Sequence, residues 1–377
     1  MQRRASNPRP HWEQTVESQG LIYHHTDAGV YWNESACYAF TSDEVDTIEA
    51  ATNELQRLAL EAAQHIIDTN RFTDFGITDG VAEAIRWAWD AEPPSIYGRF
   101  DLAWDGTGAP KLLEYNADTP TALLEASVVQ WYWLQDRHPK ADQFNSIHER
   151  LVAKWKELGA YCASPLYFAA AEDPQAEDLM TATYLRATAD EAGLATSAIL
   201  MKDIGWDRAN RIFVDLDDNA IRSIVKLYPW EWIIHEAFGP VAIETIRDVQ
   251  WIEPVWKMLW SNKALLAVLW ELFPDHPNLL PAYLDGPRDL TEYVRKPRLS
   301  REGANITYVG AQRIETDGDY GEEGYVWQGL APVPVFDGNY AVMGSWVVDG
   351  VACGMGIREA DGPITDNRSR FVPHLFE

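Results

Sequence analysis

The sequence predicts a mixed α/β fold, and three observations predict it. A strand–helix–strand passage occupies residues 165–201. Short strands flank turns too often for a purely parallel sheet. Apolar residues near the N-terminus recur at helical spacing.

Val45 to Thr69 is expected to be helical, with Leu55, Leu58, Leu60, Ala63 and Ile66 at helical spacings. Asp79 to Trp89 continues as helix, and Pro93-Pro94 stops it. Ser95-Ile-Tyr-Gly-Arg-Phe-Asp-Leu-Ala-Trp104 alternates as a strand, Asp105-Gly-Thr-Gly-Ala-Pro110 is a turn, and Lys111-Leu-Leu-Glu-Tyr-Asn116 is a second strand. Together they read as a hairpin. Thr121 to His138 returns to helix. Pro165 to Ala170 as strand, Ala176 to Gly193 as helix and Thr196 to Met201 as strand make a βαβ-like unit. Ile212 to Leu216 and Ile221 to Leu227 read as a hairpin around Asp217-Asp218-Asn219. In the last third, Lys263 to Phe273 is a helix ended by Pro274. Tyr293 to Lys296, Ile306 to Val309, Gly324 to Gln328 and Tyr340 to Val351 are expected strands. Leu299-Ser-Arg-Glu-Gly-Ala-Asn305 is a small-residue loop. No internal repeat or low-complexity linker is present.

Composition narrows the function classes. Acids outnumber bases 58 to 31, a net charge of −27. Wrapping a nucleic-acid backbone or an anionic membrane needs clustered Lys and Arg, so neither partner is expected. The charge fits a cationic substrate and leaves room for a nucleotide, which needs only a few local bases. No run of about 18 apolar residues exists, and no apolar segment follows the charged N-terminus, so neither a membrane span nor a signal peptide is expected. Cys37, Cys162 and Cys353 are widely spaced, which favours a reducing, cytoplasmic setting. Seventeen tryptophans are the compositional oddity. They read as core packing or as a sugar-stacking surface.

The densest polar constellation is Arg99, Asp101, Glu114 and Asn116. Residues two apart in a strand share a face, so each pair projects to one side. In a hairpin the two faces coincide, and two carboxylates, an amide and a guanidinium converge. Such oxygen donors suit Mg²⁺, and Arg99 suits a phosphoryl oxygen. The same alternation also describes a solvated hairpin face with a salt bridge. Paired carboxylates beside many Trp also describe a glycoside hydrolase. Lys263 opens a helix, where it opposes the helix dipole unless an anion offsets it. Lys296 ends a strand that leads into the Ser300 to Ala304 loop, whose backbone N–H groups can approach phosphates. Neither lysine sits in a Walker A pattern. Arg358 lies at the end of a strand near the C-terminus.

Tyr97-Gly-Arg-Phe-Asp101 followed by Leu113-Glu-Tyr-Asn-Ala-Asp-Thr-Pro120 resembles the glutathionylspermidine synthase family. Further matches follow in order: Thr181 to Leu185, Lys226-Leu-Tyr-Pro-Trp-Glu-Trp232, Glu253 to Lys263, Lys296 to Asn305, Gly344-Ser-Trp346, Gly356 to Glu359 and Ser369 to His374. The resemblance spans roughly residues 20 to 377. It implies an ATP-grasp-like fold with a preceding pre-ATP-grasp α/β lobe, in one module of interlocked lobes at about 1–160, 161–250 and 251–377.

The resemblance implies an ATP-dependent carboxylate–amine ligase with ATP and Mg²⁺, two ions, as cofactors. Its magnesium ligands fall on Asp101, Glu114 and Asn116. Its phosphoryl-side arginines fall on Arg99 and Arg358, and its ATP lysines on Lys263 and Lys296. The loop from Ser300 through Gly303 and Ala304 to Asn305 would cover the phosphates. Gln328 and Leu330 fall at the adenine side. Arg301, Thr119 and Thr121 fall where relatives hold glutathione, and Glu177 and Asp178 near the polyamine. The substrates implied are a small-molecule or peptide acid and an amine. The bifunctional relatives carry an N-terminal amidase, for which this chain is expected to have no room. Two alternatives stand beside this reading: an ATP-binding protein without ligase turnover, and a carbohydrate-active protein with an open, Trp-lined cleft.

Overall fold

In the computed structural model of the chain, which describes residues 1–173, 176–331 and 333–377, the strands Tyr97–Ala103 and Lys111–Asn116 form the expected antiparallel hairpin. Arg99 lies opposite Asn116, and Asp101 opposite Glu114. The hairpin is one side of a six-stranded sheet ordered Arg370–Val372, Val351–Ala360, Asn339–Val348, Tyr97–Ala103, Lys111–Asn116, with Val335–Phe336 beside Asn339–Val348. Residues from both ends of the chain therefore share one sheet.

The segment read as a single strand from Tyr340 to Val351 is two strands joined by a tight turn. Val348 pairs with Val351 across Asp349-Gly350, whose φ angles are 53° and 73°. Two successive positive φ values make the type I′ hairpin turn that Asp-Gly favours.

A second, five-stranded antiparallel sheet runs Ala282–Tyr283, Tyr325–Gly329, Tyr293–Pro297, Thr307–Val309, Arg313–Glu315. A third, parallel sheet runs Gln250–Ile252, Ser223–Leu227, Leu166–Ala170, Thr196–Leu200. Helix Glu177–Glu191 is its βαβ crossover, as expected. The hairpin read over residues 212–227 is shorter. Ile212–Val214 pairs with Ala220–Ile221 on one side and with Gly205–Asp207 on the other. Ser223–Leu227 is buried at every position and leaves for the parallel sheet. Burial on both faces is the mark of a parallel strand.

The long helix, Ser42–Asp68, begins at a capping box. Glu44 N–H donates to Thr41 Oγ1 at 3.3 Å, and Thr41 N–H donates to the Glu44 carboxylate at 2.9 Å. Leu55, Leu58, Ala63 and Ile66 are buried, but Leu60 is 43% exposed, because a step of two along a helix leaves the apolar stripe. The helix expected over Thr121 to His138 starts later. Ala122 has φ 62°, and a π-turn, Glu125–Val129, precedes Gln130–Arg137.

Trp32, Trp133, Trp155, Trp230 and Trp346 are fully buried. Among the described residues only Trp131 and Trp232 are exposed, at 37% and 39%. Nine of the seventeen tryptophans are buried and six are partly buried, which is the core-packing use rather than an exposed sugar-stacking surface. The three cysteines are free, with Cys37 and Cys353 buried. No helix among the described residues is long and apolar enough to cross a membrane.

Candidate functional site

The hairpin's polar face looks into a cavity of about 320 Å³ between the two antiparallel sheets. Arg99 is 6% exposed and Asp101 is 2%. Buried charges at that level are not a solvated face, so that reading of the hairpin fails.

Arg99 makes a two-pronged contact with Asp101, Nε to Oδ1 at 2.7 Å and Nη2 to Oδ2 at 3.1 Å. Its Nη1 donates to the Thr121 carbonyl at 2.6 Å. Gly344, opposite Asp101 on the neighbouring strand, makes room: a Cβ there would stand 2.7 Å from Arg99 Cδ. Arg358 Nη2 donates to the same Asp101 Oδ2 at 2.8 Å. Asn116 Nδ2 donates to Glu114 Oε1 at 3.1 Å and reaches Asp101 Oδ2 at 3.4 Å. Asp101, Glu114 and Asn116 thus bring hard oxygen donors to one wall, the donor chemistry Mg²⁺ takes.

Both lysines act on Glu114, Lys263 by direct contact and Lys296 through its charge. Lys263 Nζ lies 3.2 Å from Glu114 Oε2 and donates to the Ser300 carbonyl at 2.8 Å. Lys296 Nζ donates to Gln328 Oε1 and to the Leu113 carbonyl, each at 2.9 Å. Gln328 Nε2 in turn donates to the Leu112 carbonyl at 2.8 Å. Burial works to raise the Glu114 carboxyl, but Lys263 and Lys296 hold it well below the usual carboxylate range. Burial pushes Lys296 down to about 8, opposed by Glu114 and reinforced by Lys263.

The small-residue loop is divided. Ser300 and Gly303 line the cavity, together with Arg301 and Glu302. Gly303 has φ 70°, and a Cβ there would stand 2.7 Å from the Thr365 carbonyl oxygen, so the position is reserved for glycine. Ala304 and Asn305 are not among the lining residues. Asn305 turns away with φ 54°, donating to the Gly318 carbonyl at 2.7 Å and accepting from Tyr320 N–H at 2.7 Å. Leu330 lines the cavity with Val294, Tyr308 and Val342.

Arg301 is fixed by Thr119 Oγ1, 3.2 Å from both Nη atoms, and by Glu231 Oε1 at 3.1 Å, above the Trp232 ring at 5.1 Å. Glu177, at the N-terminus of the crossover helix, and Asp178 also line the cavity. Burial pushes Glu177 up against a hydrogen bond from Thr121. Burial and the neighbouring Glu177 push Asp178 up to about 7.

Sequence reasoning passed over several residues here. Tyr23 and Tyr31 line the cavity. Tyr31 Oη donates to buried Glu125 at 2.7 Å, and burial pushes Glu125 up to about 7 despite that bond. Asp118 and Lys226 form a buried pair behind Thr119. Glu253 accepts from Ile96 and Tyr97 N–H at 2.9 and 3.1 Å, anchoring the start of the Arg99 strand. Asp118, Lys226 and Glu253 sit inside matched motifs, which was the available signal; Tyr23, Tyr31 and Glu125 lie outside them.

A cavity between two antiparallel sheets, floored by paired lysines and walled by carboxylates and arginines, defines an ATP-grasp-type synthetase fold. The chain belongs to the glutathionylspermidine synthase pre-ATP-grasp family, whose pattern matches residues 3–377. A Haemophilus influenzae protein named "Putative acid–amine ligase" is 41% identical, over 98% of this chain and 97% of its own length. Trypanothione synthetase of Crithidia fasciculata is 30% identical over 82% of this chain; the match spans 52% of that protein. A glutathione synthetase-like effector of Globodera pallida superposes with TM-score 0.56 at 9% identity, covering 99% of this chain and all of that one. That likeness is one of fold.

Proposed function

We propose that this protein is an ATP- and Mg²⁺-dependent carboxylate–amine ligase that forms an amide through an acyl phosphate. One observation carries the reading. In a chain of net charge −27, five cationic side chains, Lys263, Lys296, Arg99, Arg358 and Arg301, line one cavity. Such a cluster in an acidic protein is built for anionic ligands. The adenine side is the apolar wall by Gln328 and Leu330. Lys263 and Lys296 hold the phosphates. Mg²⁺, held by Asp101, Glu114 and Asn116, neutralises phosphate charge when bound.

The acid is held by Arg301 with Thr119 and Thr121. One of its carboxylate oxygens attacks the γ-phosphorus, and ADP leaves. The amine nitrogen then attacks the acyl carbon, loses a proton, and phosphate leaves with the acyl oxygen. Arg99 and Arg358 stabilise the charge that develops on the oxygens. Glu177 and Asp178 face a cationic amine of polyamine type, and the acid is peptide-like. The carbohydrate alternative expected several exposed tryptophans, but Trp232 is the only one in the lining.

Thermal unfolding with ATP and Mg²⁺ tests this reading first. Ligand at a hundredfold excess over its dissociation constant stabilises by about 2.7 kcal/mol. Wild type is expected to show a clear shift, and Glu114→Ala to lose most of it. Wild type unmoved by ATP·Mg²⁺ would refute the nucleotide site. Phosphate release with acid–amine pairs then separates a ligase from a nucleotide binder without turnover.

The acidic end predicts a pH dependence. The raised folded pKa of Asp178 means the folded chain holds more protons than the unfolded chain between about pH 4 and pH 7. This group's contribution to stability therefore falls as pH rises through that window. A cationic amine paired with the ionised carboxylate reverses the trend, so stabilisation by spermidine should grow severalfold from pH 6 to pH 8. Asp178→Asn should flatten that growth. An equal slope in the variant would remove Asp178 from the amine site.

A further inference from the structure

We propose that His24 and His25, with Glu13 and Glu17, form a binding site for a late first-row divalent metal such as Zn²⁺, separate from the nucleotide cavity. Glu13 and Glu17 lie on the helix Trp12–Ser18, one turn apart and so on one face. His24 and His25 follow at the start of a short hairpin, His25–Thr26 with Gly29–Val30. One ligand atom from each of Glu13, His24 and His25 falls within 4.8 Å of the others. None of these four side chains lines the cavity.

The hydrogen bonding orients the His24 ring. His24 Nε2 lies 2.9 Å from Glu17 Oε1. A carboxylate only accepts, so that nitrogen carries the proton and His24 Nδ1 is left as an acceptor. His24 Nδ1 faces His25 Nδ1 at 2.7 Å, a hydrogen bond when His25 Nδ1 carries a proton. A metal ion held by both nitrogens takes the place of that proton. Glu13 Oε1 stands 3.7 Å from His25 Nε2, too far for a hydrogen bond and free to turn onto the ion. An N–H given to a carboxylate while the other nitrogen binds metal is the usual arrangement of a ligating histidine.

The rings are also held in place. The Trp12 ring packs against both, at 5.6 Å from His24 and 5.7 Å from His25. A tetrahedral ion with Zn–N near 2.0–2.1 Å needs its nitrogens about 3.3 Å apart, a small ring rotation from the present spacing. Two imidazoles plus carboxylate select Zn²⁺, Cu²⁺ or Ni²⁺ over Mg²⁺ and Ca²⁺. The site adjoins the cavity along the chain. Tyr23 precedes His24, and Tyr31 N–H donates to the His24 carbonyl at 3.0 Å. A bound ion would therefore stiffen the segment that carries both tyrosines.

Calorimetric titration of the chelator-treated full chain with ZnCl₂ tests the site. Wild type is expected to bind one equivalent that the double variant His24→Ala/His25→Ala does not bind. Glu17→Gln should weaken that binding about 10- to 100-fold, as lost carboxylate support of a ligating histidine does. Metal-free thermal unfolding of each variant checks that it is folded. The same zinc stoichiometry and affinity in the double variant would overturn the proposal. So would a zinc equivalent lost on Glu114→Gln, which would place the ion in the nucleotide cavity. The titration needs no turnover, so failure of the ligase reading leaves it intact.

Discussion

Asp118→Ala is expected to destabilise the fold by about 3–5 kcal/mol, the cost of leaving a buried charge without its partner. Asp118 and Lys226 are each 1% exposed and paired with one another. Burial pushes the Asp118 carboxyl up and the Lys226 ammonium down, and each charge opposes the other's shift. Asp118 also accepts from Trp230 N–H at 2.8 Å, and its own N–H donates to Ser261 Oγ at 2.9 Å. The pair therefore ties the Thr119–Thr121 wall of the cavity to the Trp230–Trp232 segment. Denaturant unfolding of three variants reads the effect. Asp118→Ala and Lys226→Ala should each fall steeply, and Asp118→Ala/Lys226→Met should recover much of the loss, because it buries no lone charge. A single-variant loss below about 1 kcal/mol would mean the pair is not buried as described.

That pair also shows what the sequence could not reveal. Asp118 and Lys226 are 108 residues apart, and no local period links them. Local signals were readable because their cause is local. The two-residue period of Arg99–Asp101 and Glu114–Asn116, with a Gly-rich turn between, determines a hairpin and which side chains share its face. Helix Ser42–Asp68 announces itself by its Thr41 cap and its stripe. Helix Ile147–Leu158 carries a comparable stripe, Ile147, Leu151, Val152, Trp155 and Leu158, and was passed over although legible. The strand set Gln2–Ala5, Ala36–Phe40 and His374–Phe376 is of another kind. Its pairing joins the two ends of the chain, and nothing in any one segment names the partner.

The site divides along the same line. Residue types at motif positions identified the cavity wall, and Ser300 and Gly303 do line it. Ala304 and Asn305 do not, because a left-handed turn at Asn305 sends that side chain toward residues 318–320. Spacing along a loop gives no backbone handedness, so the inward and outward halves could not be told apart. Glu125 and Tyr31 escaped for a different reason. Their meeting depends on a π-turn, whose single extra residue shifts the helical register without a sequence signature of its own.

Arg358→Ala is expected to lower ligase turnover about 10²- to 10³-fold while leaving nucleotide-dependent stabilisation near wild type, the signature of a donor that acts on developing charge. The two arginines on Asp101 are not equivalent. Arg99 spends Nε and Nη2 on Asp101 and Nη1 on the Thr121 carbonyl, and it is 6% exposed. Its geometry is that of a fixed charge in the cavity wall, acting without moving. Among the described residues Arg358 has one side-chain partner, Asp101, through Nη2, and its side chain lines the cavity 25% exposed. Its remaining donors are available to a transferring phosphoryl group, and its stem moves at little cost. Arg358→Lys should recover little, because one ammonium cannot hold Asp101 and reach a second oxygen as a guanidinium fork does. Arg99→Ala is expected instead to cost stability, since Asp101 then loses its two-pronged partner. Phosphate release, paired with the ATP·Mg²⁺ thermal shift of each variant, separates the roles. Arg358→Ala turning over like wild type, or losing the shift as Glu114→Ala does, would assign Arg358 to binding or to nothing, and leave charge stabilisation to Arg99 alone.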